Sequence, residues 1–170
     1  MNRYIRFPLA ALLLIILLAA CSPPERPPAT ATAAPATPTT APVPTATPAQ
    51  AGMADVAFVK AVQAADGSWT FSVTVRHPDT GWEDYADGWD VVTPDGQILK
   101  RNPDDPFTRL LLHPHVDEQP FTRSQSGILI PDGVTQVTVR AHSLTRGFGG
   151  REILVDLTQP SGEGFTVQAR

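Results

Sequence analysis

Residues 110–121 read LLLHPHVDEQPF, which places His113, His115, Asp117 and Glu118 within six positions. In an extended chain, residues two apart project to the same side, so His113, His115 and Asp117 would form a comb. Imidazole nitrogens and carboxylates are ligands that zinc accepts, and a closed structural site takes four of them. The other imidazoles are His77 and His142, and a zinc site would draw on His113, His115, Asp117 and His142. Pro114 opposes a central strand here, because it lacks an amide hydrogen and is confined to edges and strand ends. The competing reading is structural. The imidazoles then sit at a strand end and bond to neighbours, while Asp117 and Glu118 shape a turn or pair with Arg123.

A second concentration of acids lies in DTGWEDYADGWD, residues 79–90, with Asp79, Glu83, Asp84, Asp87 and Asp90. With Asn102, Asp104 and Asp105 it could supply some of the six to eight oxygens that calcium takes. The spacing matches no EF-hand loop. Trp82, Tyr85 and Trp89 interleave with these acids, and exposed aromatic faces beside carboxylates suit a glycan or peptide. A small sandwich also needs large apolar side chains inside, so at least one of the three is expected in the core.

Other chemistry is poorly represented. In RGFGGRE, Gly147, Gly149 and Gly150 lack phosphate-loop spacing and lead into a strand rather than a helix. The sequence has no Gly-x-Ser-x-Gly elbow, no Cys–His pair and no Walker loop. No catalytic residue is predicted. The His-x-His-x-Asp run is similar over five residues to the metal-binding run of the metallo-β-lactamase family. That family's next histidine is replaced by Glu118, and its fold needs far more chain than Met53–Arg170.

The elements that must position these groups read as strands. WTFSVTVR (69–76) alternates Trp69, Phe71, Val73 and Val75 with polar residues, the pattern of a half-buried strand. VTVRAHSL and REILVDL alternate in the same way, and 54–62, 88–94, 96–101, 107–113 and 126–130 are further strand candidates. Turns are signalled by Asp66-Gly67, Pro78-Asp79-Thr80-Gly81, Pro94-Asp95-Gly96 and Pro131-Asp132-Gly133. No segment holds a helical period with caps. Seven or eight short strands imply an all-β fold, a small antiparallel β-sandwich, with an immunoglobulin-like topology as the leading expectation.

The chain of 170 residues carries a net charge of −4, with no basic field to attract nucleic acid. Residues 1–50 hold only Arg3, Arg6, Glu25 and Arg26 as charged groups, which leaves ten cations and sixteen anions, a net of −6, beyond them. The opening MNRYIRFPLAALLLIILLAAC has two arginines, an apolar run from Leu9 to Ala20 and small residues before Cys21. The run is shorter than the roughly 20 residues of a membrane span and has the build of an export signal. Leu18-Ala19-Ala20-Cys21 resembles the lipobox of bacterial lipoproteins, which implies cleavage before Cys21 and a diacylglycerol thioether on its thiol. Residues 22–50 are nearly all Pro, Thr and Ala, a composition that cannot build a core and favours an extended spacer. The expected organisation is a signal peptide over 1–20, a lipid-anchored disordered linker over 21–52 and a sandwich over 53–170.

Three stretches, YADGWDVVTPDGQIL, HPHVDEQPFTRS and VRAHSLTRGFGGRE, resemble a family of uncharacterised exported bacterial domains, over roughly Phe71–Val155. That resemblance implies a domain without an assigned activity. A cysteine often seen near Trp82 in that pattern is absent here, and Pro114 stands where a smaller residue is usual. The functional expectation is an extracytoplasmic domain held to the membrane through Cys21, with a binding or structural role in the cell envelope and no catalysis. Its partner would be a protein or a glycan. The alternative is a metal-binding protein that uses the His-x-His-x-Asp stretch, with zinc or calcium as the candidate ion.

Overall fold

A computed structural model describes residues 52–170. The signal segment 1–20, Cys21 and the linker as far as residue 51 lie outside the described residues. Nine strands follow in order: β1 (Asp55–Gln63), β2 (Trp69–Arg76), β3 (Ala86–Val92), β4 (Arg109–Leu110), β5 (Phe121–Ile128), β6 (Gln136–Ser143), β7 (Ile153–Asp156), β8 (Ser161–Gly162) and β9 (Phe165–Gln168). No helix occurs among the described residues.

The strands form two sheets, ordered β5-β2-β1-β9-β8 and β4-β3-β6-β7. With β1, β2, β3, β4, β5, β6 and β7 as A, B, C, C′, E, F and G, this is the strand order of an immunoglobulin-type sandwich. The β8–β9 hairpin departs from that plan by adding to β1, with β9 running parallel to it. Every other pairing is antiparallel.

Alternation decides which face each strand buries. Trp69, Phe71, Val73 and Val75 of β2 face Val137, Val139 and Ala141 of β6 across one core, all of them buried. Trp89 of β3 is completely buried at its centre, on the strand where immunoglobulin domains carry their core tryptophan. A register shift between Val56 and Phe58 rotates β1, so Val56 and Val59 both point inward while Phe58 stays partly exposed.

Several strand expectations change. Residues 96–101 form no strand and make one isolated bridge, Val92 to Ile98. Of 107–113 only Arg109–Leu110 pairs. The 126–130 candidate is the tail of β5, which begins earlier at Phe121, and β8 and β9 were not anticipated.

The strand directions bring residues 77–85, 111–120 and 144–152 to one end of the sandwich. The first described residues lie there too. Gly52 sits against Arg146, and the Val56 amide donates to the Arg151 carbonyl at 2.8 Å.

Candidate functional site

The inward series of two strands run on past their ends into polar residues. On β2, Trp69, Phe71, Val73 and Val75 are followed on the same face by His77. On β6, Val137, Val139 and Ala141 are followed by Ser143. Both polar groups are buried, His77 at 1% and Ser143 at 0% exposure, so each needs a partner. They find each other: His77 Nε2 lies 3.2 Å from Ser143 Oγ, and His77 Nδ1 lies 2.7 Å from Asp79 Oδ1. The carboxylate only accepts, so His77 donates from Nδ1, while Nε2 shares a hydrogen bond with the Ser143 hydroxyl and has Asp84 Oδ1 at 3.8 Å.

Asp79 is the junction of this end of the domain. Its Oδ1 also accepts the Ala86 amide at 3.1 Å, and its Oδ2 accepts the His115 amide at 2.6 Å. Gln119 adds two further ties, accepting the His77 amide at 3.1 Å and donating to the His115 carbonyl at 3.2 Å. On the other side, Thr145 donates to Asp84 at 2.7 Å and the Leu144 amide to the Tyr85 carbonyl at 3.0 Å. Three loops are thereby fixed to one another. Ser143 was not singled out from the sequence and His77 entered only as a further imidazole for a metal site, although the alternation that buries both can be read there.

The predicted zinc ligands do not converge. His115 is buried, at 4% exposure, and stacks on Phe121 at 3.7 Å. His113 is exposed beside it, with ring centroids 4.6 Å apart, and Asp117 points to solvent. His142 lies on the outer face of the other sheet, its Nδ1 2.6 Å from Asp87 Oδ1 and its ring between Phe107 and Phe148. Pro114 and the turn that returns the Glu118 amide to the His115 carbonyl break the extended geometry a comb requires. Burial is the main cause that lowers the His115 pKa, with the Arg123 and His113 charges next, while Glu118 and Asp79 oppose the shift.

The calcium candidates are also dispersed. Asp79 is occupied as above, Asp87 by His142, and Asp90 by the Thr108 amide at 3.0 Å and by Arg140 at 3.4 Å. Glu83, Asn102 and Asp104 are exposed, and Asp105 lies on the separate 99–108 loop. Among the described residues no three His, Cys, Asp or Glu side chains gather to hold a metal ion.

The aromatic trio divides. Trp82 is 66% exposed and meets Tyr85 edge-on at 6.0 Å, whereas Trp89 is core and cannot contribute to a ligand surface. Exposed Leu112, Val116 and Leu144 belong to the same end as Trp82. On the outer face of β3 and β6, Phe107 covers Gly88, where any Cβ would collide with its ring. The Arg140 guanidinium lies 3.9 Å from the Phe148 ring centre, a cation–π contact. Two hollows of about 520 and 290 Å³ lie at the opposite end, around Gln97.

Over 86 residues the chain is 46% identical to a protein named "Putative lipoprotein" from Halomicrobium mukohataei, a match covering 51% of this chain and 38% of that protein. The chain therefore spans well under half the length of this relative. No family model matches the chain, and no solved structure does.

Proposed function

We propose that this protein is lipid-anchored outside the cytoplasm and that its sandwich serves binding or structure in the cell envelope rather than catalysis. The observation that carries the reading is Leu18-Ala19-Ala20-Cys21 closing a basic-then-apolar leader. Similarity to a protein named as a lipoprotein supports it. A diacylglycerol on Cys21 supplies two chains, enough for stable anchoring where a single chain would be marginal.

The non-catalytic half rests on the state of the Ser143–His77–Asp79 trio. These are the residue types of a hydrolytic triad, in hydrogen-bonding order. A nucleophile must nevertheless let a reacting carbon approach to about 3 Å, and Ser143 is completely buried. The trio is a tie between loops. The binding half rests on Trp82, Tyr85 and the neighbouring exposed apolar side chains, a surface suited to a protein or glycan partner.

Intact-mass analysis of the native protein tests the anchor. The expected product begins at Cys21 and carries the mass of a diacylglycerol and further acylation, and Cys21→Ser abolishes both cleavage and modification. An unmodified thiol at Cys21 in the exported protein would refute the reading.

A further inference from the structure

The crossing segment 111–120 runs from β4 in one sheet to β5 in the other, and one buried ring holds it down. His115 stacks on Phe121 of β5, with ring centroids 3.7 Å apart and planes 11° from parallel. Its Nε2 lies 2.6 Å from Nη2 of Arg123, also on β5. A guanidinium only donates, so Nε2 accepts and the imidazole is neutral. A proton on Nε2 would set two donors and two positive charges against each other at that distance. The other ring nitrogen, Nδ1, is buried without a partner, so a charged ring finds no acceptor there either.

The charged groups around the ring favour its neutral form. Arg123 faces it from β5, and His113 is its neighbour within the segment, with ring centroids 4.6 Å apart. Arg109 of β4 lines the same cavity of about 70 Å³. The two carboxylates nearby are engaged elsewhere. Asp79, from the loop after β2, accepts the His115 backbone amide and pairs with the His77 ring. Glu118, largely exposed, has Arg123 at 3.3 Å. Burial first, then the Arg123 charge, outweigh these carboxylates and hold the His115 pKa below the usual 6.5.

We propose that segment 111–120 is an acid-released strap: protonation of His115 detaches it from β5 and slackens the loops joined through Asp79. A charged ring reaches water only by leaving Phe121, and that movement draws the His115 amide away from Asp79. Between pH 6.5 and the folded pKa of His115, each unit of acid raises the open fraction up to about tenfold. Below the folded pKa the open fraction levels off. The strap works without the anchor at Cys21 and without a partner at the Trp82 surface.

Hydrogen–deuterium exchange on the whole protein in detergent, from about pH 8 to about pH 5, tests the strap. Two amides report on it, that of His115, bonded to Asp79, and that of Glu118, bonded to the His115 carbonyl. After correction for the intrinsic pH dependence of exchange, their protection should fall by up to about tenfold per pH unit below 6.5. Amides of β6 should keep theirs. His115→Phe retains a stacking ring that cannot titrate, and its strap should show no acid response. Should that variant not fold, Arg123→Gln removes the facing charge and keeps a donor. It should raise the His115 ring pKa measured by NMR and shrink the acid response. Strap amides that stay protected throughout, or that lose protection only in step with β6, would overturn the proposal. So would a His115→Phe strap that opens like the parent's, or an Arg123→Gln ring whose pKa is unchanged.

Discussion

Replacing Asp79 with asparagine tests the junction of the three loops with a change of one atom. The carboxylate accepts from His77 Nδ1 and the Ala86 amide through Oδ1, and from the His115 amide through Oδ2, with its side chain wholly buried. An amide has one oxygen. Kept toward His77 and Ala86, it turns an NH₂ group against the His115 N–H; flipped, with His77 in its other tautomer, it leaves the Ala86 N–H without an acceptor instead. The better orientation gives up one bond to a charged acceptor, about 1.5–3 kcal/mol, and leaves a buried donor unsatisfied, about 1–3 kcal/mol. These overlap, so about 3 kcal/mol is the expected loss. For a domain near 120 residues this is roughly 10–15 °C in Tm. Urea unfolding should show a lower midpoint at an unchanged m-value. Amide exchange should quicken selectively at His115 or at Ala86, whichever loses its acceptor. A variant within about 0.5 kcal/mol of the parent, or one in which both amides stay protected, would refute the reasoning.

Trp82→Ala and Trp89→Ala should separate surface from core: the first within about 0.5 kcal/mol of the parent, the second down by about 3–5 kcal/mol, both read by denaturant melts. A glycan or protein partner of the loop end, once captured, should lose affinity with Trp82→Ala and not with an exposed substitution at the opposite end. Stability should also fall with acid through His115. Its folded pKa is held below the usual 6.5, chiefly by burial, so just below 6.5 the unfolded chain binds the proton that the folded one refuses. This contribution is complete above about pH 6.5 and is lost as pH drops toward the folded pKa. Thermal melts between pH 5 and 8 check it, and a His115 ring that titrates at or above 6.5 by NMR would contradict it.

The core was legible because it obeys a two-residue period. Trp69, Phe71, Val73 and Val75 are inward as the sequence predicts, and so are Val137, Val139 and Ala141. β5 was obscured because it is an edge strand with a polar middle. Only Phe121 and Ile128 are buried, and its central residues bond sideways to β2 through Ser72–Ser124 and Thr74–Thr122. Residues 107–113 misled in the opposite way. Their apolar run looks like a strand, but after two paired residues it crosses from one sheet to the other, with Leu111 alone turned fully inward. Of the His-x-His-x-Asp comb only the His113 and His115 rings stay adjacent, because the turn over 115–118 ends the extended chain before Asp117.

The site depends on separations that spacing cannot reveal. His77 and Ser143 are 66 positions apart, and Asp79 and His115 are 36 apart. What the sequence does carry is the parity of each inward series, and parity places His77 and Ser143 at adjoining strand ends, facing the same interior. A histidine and a serine carried inward by β2 and β6 cannot be left dry and unpaired, so the loop after β2 returns a carboxylate two residues later. That carboxylate in turn accepts backbone amides from the start of β3 and from the crossing segment, which lie too deep to reach water. The pairing of two buried polar residues therefore ties the loops at this end of the sandwich to one another, and the exposed Trp82 lies on one of the loops so tied.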